Sequence, residues 1–322
     1  MDTIAIKRKK FNSGICLLKI LACFGVVNSH FGAHGGEIMT LPVPVFMFIS
    51  IFMAYPSMLK GGVEKLKGRV YRLMIPFTFW GIFYFVAYSV FTHTFDLKLL
   101  LWQLTFGHAV CKPLFFLPLL LVFTFLAFAM AKFDKWLLPI SVTMVVLSFV
   151  MQYSGVNYAV FGGLPDEMSW TLGRFFECLP PVATACVVAK YQSKASSWSS
   201  KYILCISIVA VAIYLAIADT GIIPSCKGFN KQGISLFLGT VIVCCAFIFS
   251  GKVLPSLKQE SFLRRLADLS FGIYLLHVIV ARFYELAFGR QDNYVESVSI
   301  FVISAIAVAL MSKIPYVKEF VK

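Results

Sequence analysis

The chain has 322 residues, 59% of them hydrophobic and only 14% charged, with a mean hydropathy of +0.84. Soluble domains carry about 25% charged residues, so this chain has too little charge to coat a water-exposed surface, and most of that surface must face lipid. Its net charge of +14 does not point to nucleic acid. The basic residues occupy short gaps between apolar runs, without an aromatic-basic stripe, and there they act as topology signals and lipid-headgroup contacts.

Apolar runs of about the 20 residues that a bilayer needs are expected near 12–32, 41–59, 73–92, 114–131, 136–153, 173–190, 201–218, 233–250, 268–288 and 295–312. The basic stretch Lys7 to Lys10 ahead of the first run raises the question of a signal peptide. The run from Phe11 to Phe31 is long for one, and another hydrophobic segment follows closely, so a retained first helix is expected. No repeat or low-complexity segment is evident. Residues 1–322 therefore read as a single membrane-embedded domain, an all-α polytopic helical bundle of about ten transmembrane helices.

Lysine and arginine set the sidedness. With the N-terminus in the cytoplasm and the spans alternating, 21 of the 29 basic residues fall on cytoplasmic segments and 5 on the opposite side. The other 3, Lys19, Arg174 and Arg282, lie within spans. Both termini are then cytoplasmic. One missed helix would scramble this asymmetry, so charge supports the count separately from hydropathy.

Ionisable side chains inside a span are costly and face the protein interior, which makes each a functional candidate. The first span carries Lys19 and His30, eleven residues apart. At about 100° per residue they point within roughly 20° of each other, about 16 Å apart along the axis. With Cys23 they form one stripe, which suggests a lined cavity; Lys19 snorkelling to one interface and His30 lying near the other is the bland alternative. The inner loop places Arg69 and Arg72 three apart on a helical turn. Paired guanidinium groups suit a phosphorylated ligand, or equally serve as anchors facing anionic lipid. Arg174 with Glu177, and Arg282 with Glu285, have the spacing of intrahelical ion pairs. His277 falls near mid-membrane in the ninth span, where it needs a polar partner or a cavity. His30 and His34 have metal-ligand spacing, but no third ligand accompanies them and no metal is expected. His93 and His108 read as loop residues.

Taken together, these features resemble the acyltransferase-3 family of integral membrane acyltransferases. Lys19 to His30 is similar to the family's basic-residue-x10-His helix, and PVPVFMFISIFM to its Phe-rich second helix. Arg69-Val70-Tyr71-Arg72, followed by Leu73 and Pro76, resembles the Arg-x-x-Arg element. Phe115-Phe116-Leu117-Pro118 and FGIYLLH ending at His277 match two further elements. Lys19 stands where the family has Arg, Ile51 replaces the Gly after Ser50, and Pro180-Pro181 replaces a Gly-containing run. The resemblance implies O-acylation of a cell-surface or exported glycan, with acetyl-CoA or a related acyl-CoA as donor, in a bacterial cytoplasmic (inner) membrane. It implies that Arg69, Arg72 and Lys19 hold the donor and that His30, with Lys19 and His277, carries the chemistry. His30 would act either as general base or as acyl acceptor. The expected partners are acyl-CoA, an extracytoplasmic glycan and membrane lipids. A polytopic transporter or flippase for a glycan or lipid-linked intermediate is the alternative, although no inverted repeat is evident.

Overall fold

The structure, a computed structural model, describes residues 12–31, 41–153, 166–195, 233–250 and 260–321. Among them there are ten α-helices and no strand: α1 Ser13–Phe31, α2 Pro42–Thr92, α3 Leu97–Phe106, α4 Phe116–Lys132, α5 Leu137–Tyr153, α6 Asp166–Ala195, α7 Gly233–Ser250, α8 Glu260–Phe288, α9 Tyr294–Met311 and α10 Lys318–Val321. Helix is what lipid demands, because each backbone amide must find its partner within the segment. Among the described residues seven helical stretches are long and apolar enough to cross a membrane, and α7 is a further apolar helix. The expected span at 201–218 lies outside the described residues.

The second and third expected spans are two helical segments that meet at a sharp bend, and the longer loop anticipated between them is helical apart from that bend. The only non-helical residue in α2 is Gly62, at φ 52° and ψ −138°. The Nη2 of Arg69 donates to the Ser50 carbonyl at 3.1 Å across 19 residues, a separation of about 28 Å in a straight helix. The chain therefore folds back at Gly62, in a conformation that side chains with a Cβ avoid, and α2 supplies two membrane-crossing lengths side by side.

Lipid inverts the usual amphipathic pattern. On α5, Leu138, Val142, Val146 and Val150 face outward, while Ser141, Ser148 and Gln152 are buried. The buried polar edge has a specific use. Pro180 in α6 lacks the N–H that would satisfy the Phe176 carbonyl, and that carbonyl accepts instead from Ser148 Oγ and from Gln152 Nε2, the latter at 3.0 Å. A neighbouring helix thus compensates for the backbone bond that Pro180 removes. α9 follows the same plan, with Ser297 and Ser304 buried and Ile303, Ile306 and Leu310 outside. The core is built around α2, which packs against α1, α4, α6 and α7.

Candidate active site

The site is built on α1 and α8. Cys23 Sγ donates to the Ser270 carbonyl at 3.3 Å, and seven residues further along both helices the rings of His30 and His277 stack, 5.6 Å apart and 28° from parallel. An equal advance on both helices means that they run in the same direction, the parity expected of first and ninth spans. The spacing also keeps one stripe of each helix in contact. Cys23 and Val26 are buried between the two, so the stripe read from the sequence does face the interior. His277 is completely buried, with Nδ1 2.6 Å from the Tyr274 carbonyl. A carbonyl only accepts, so Nδ1 carries the proton and Nε2 is the basic nitrogen.

Towards the other end of α1 lies a cavity of about 200 Å³, lined by Lys19, Ser50, Arg69, Arg72, Ser270 and Tyr274 among apolar side chains. The two arginines are held differently. Arg69 is half-buried, with Nε on Thr124 Oγ1 and Nη2 on the Ser50 carbonyl, both at 3.1 Å. Arg72 is exposed at the rim, with only its Nε tied back to the Gly68 carbonyl at 3.1 Å. Lys19 lies within electrostatic reach of Arg69 and Asp268. The inner wall is aromatic. The Tyr274 ring sits 6.2 Å from that of Phe46, 5.1 Å from that of Phe116 and 5.9 Å from that of His277. Tyr274 Oη donates to the Pro113 carbonyl, which fixes the ring. One tyrosine thus touches both the cation-lined cavity and the histidine pair.

A family model described as "Acyltransferase domain" matches residues 12–313, nearly the whole chain and all five of these candidate residues. The chain belongs to the acyltransferase-3 family. It is an integral membrane acyltransferase. Comparison with curated proteins and with solved structures gives no match.

Further residues join the site at the His30 end. Lys112 and Arg174 lie within electrostatic reach of His30. Arg174 forms the expected pair with Glu177 at 2.8 Å, and its guanidinium also sits over the Trp170 ring, 5.2 Å from the centroid. His108 stacks on the same indole at 4.2 Å, and Phe115 meets it edge-on at 4.4 Å. His108 is therefore packed into this cluster and is more than a loop residue. Spacing alone explains Arg174 as a helix pair; the signal that marks it out is an arginine within a span at the same end as His30. Arg282 and Glu285 form the expected intrahelical pair at 3.0 Å, with the arginine exposed. Among the described residues no group of three or more His, Cys, Asp or Glu side chains is placed to hold a metal ion, and His34 lies outside them.

Proposed function

We propose that the protein moves an acetyl or related acyl group from cytoplasmic acyl-CoA to a hydroxyl of a cell-surface or exported glycan. The observation that carries this reading is the continuity along α1 and α8. Lys19, Arg69 and Arg72 share a cavity whose inner wall, Tyr274, contacts the His277 ring stacked on His30. Three cations suit the phosphates of the donor, the aromatic wall suits its uncharged arm, and the imidazoles suit proton transfer.

In this mechanism Arg72 and Arg69 hold the anionic end of the donor and the thioester reaches the histidine pair. His30 takes the proton from the acceptor hydroxyl as its oxygen attacks the thioester carbon. Collapse of the tetrahedral intermediate breaks the C–S bond, and the proton passes to the departing thiolate to give free CoA thiol. His277, oriented by the Tyr274 carbonyl, positions His30. Lys112 and Arg174 supply positive charge near the oxyanion. Transfer through an acyl-His30 intermediate uses the same residues in two steps.

The test is transfer of labelled acetyl from acetyl-CoA to glycan by membranes containing the protein. Wild-type protein should transfer label, whereas His30→Ala should insert at the same level and transfer none. Wild-type rates from His30→Ala would remove His30 from the mechanism. Movement of glycan without label would favour a flippase.

A further inference from the structure

We propose that a second groove, between α2 and the C-terminal α10, is the subsite for the nucleotide end of the donor, and that Lys318 contacts a donor phosphate there. This rests on the acyl-CoA reading above and deepens it. The groove has a volume of about 330 Å³ and is lined by Tyr71, Arg72, Ile75, Lys318 and Glu319. Arg72 lines both the groove and the donor cavity, so the two adjoin at that side chain. The cavity ends on an aromatic wall, which fits the uncharged arm of the donor. The groove beside it, with exposed Tyr71 and Lys318, is left for the nucleotide.

The groove wall is anchored. At Tyr316 the chain turns through the left-handed region, at φ 68°, and the segment after it docks on the second half of α2. Trp80 Nε1 donates to the Phe320 carbonyl at 2.9 Å, and the rings of Phe79 and Phe320 stack at 4.2 Å. Val321 is completely buried, its carbonyl so near Gly272 that an added Cβ would stand 2.6 Å away. Lys318 and Glu319 are therefore held in place while their side chains remain exposed.

The chemistry is that of a nucleotide. Arg72 offers a planar fork and Lys318 a point charge for phosphate oxygens. Tyr71, 68% exposed, and Ile75 offer flat and apolar surface to a base. Glu319 offers an acceptor for the amino group of a base. Tyr71, Arg72 and Ile75 lie within the residues that the family model matches, whereas Lys318 and Glu319 lie beyond them.

An anionic lipid headgroup presents the same phosphate chemistry, so the test separates the two sources. Full-length protein in phosphatidylcholine nanodiscs is titrated with CoA and, separately, with pantetheine, which lacks the nucleotide. Lys318→Glu should weaken CoA binding about tenfold and leave pantetheine binding unchanged, and Lys318→Arg should keep wild-type affinity. Equal CoA affinity in wild type and Lys318→Glu overturns the subsite, as does an equal loss for pantetheine. If phosphatidylglycerol in the nanodisc abolishes the difference between wild type and Lys318→Glu, the groove is a lipid site and the proposal fails. Wild-type protein that binds no CoA would instead sink the donor reading itself, and the subsite with it.

Discussion

The two ends of the α1–α8 pair handle polar groups in a bilayer in opposite ways. At the Lys19 end, three fixed cations surround a cavity, and Arg69 and Arg72 divide the work. Arg69 is built into the scaffold through Thr124 and Ser50, whereas Arg72 stands exposed at the rim. At the His30 end the stacked residues are imidazoles, one of them wholly enclosed and held by a carbonyl, with the cations Lys112 and Arg174 reaching His30 from outside that enclosure. A fixed cation in such an enclosure would be far more costly to bury than a neutral ring. Under the proposed mechanism the first region binds the donor and the second transfers the proton, which predicts that substitutions in the two will fail in different kinetic parameters.

The largest effect is expected at the histidines. His30→Ala should lower the transfer rate about 10³-fold through kcat, with donor affinity unchanged. His277→Ala should lower kcat by about 10²-fold and alter the pH profile of the residual activity, which a purely structural role would not do. Steady-state kinetics on purified protein checks both, and a rise in donor KM without a fall in kcat would erase the contrast between the two ends. Next come the arginines. Arg72→Ala should raise donor KM about tenfold and leave thermal stability alone. Arg69→Ala should raise KM and also destabilise the protein by about 1–3 kcal/mol, because Thr124 and Ser50 lose a charged partner. Equal melting temperatures for the two variants would contradict the division drawn between them. Gly62→Ala tests the fold that brings Arg69 to Ser50. Open space surrounds the position, so only the backbone conformation resists a Cβ, and a cost of about 1–3 kcal/mol is expected. The smallest effect on activity should come from replacing Ser148 and Gln152 together by Ala, which removes two hydrogen bonds to the Phe176 carbonyl and costs about 1–3 kcal/mol of stability without changing donor KM.

Much of this was legible in the sequence because lipid simplifies the code. Hydropathy located α1, α4, α5, α8 and α9 to within a few residues except at the start of α8, which begins at Glu260 rather than near 268. The eleven-residue spacing put Lys19 and His30 on one stripe, and that stripe is the one that meets α8. Other features were hidden for identifiable reasons. The helix through 60–72 looked like a loop because Gly61-Gly62 and its lysines are polar, yet only Gly62 leaves helical geometry. The meeting of His30 with His277, 247 positions away, is a tertiary register that no local period encodes. Tyr274 entered only as a letter of FGIYLLH, although its carbonyl orients His277 and its ring walls the cavity. Lys318 read as one more positive-inside residue, because only the docking of Phe320 on Trp80 places it beside Arg72.

The central claim is that the two ends form one route, and sealed vesicles test it most directly. Labelled acetyl-CoA is supplied only to the face that carries Arg72, and a glycan acceptor is enclosed on the face nearer His30. The account predicts label on the enclosed glycan with wild-type protein and none with His30→Ala. Label that appears only when donor and acceptor share a compartment, or that persists in His30→Ala, would contradict it.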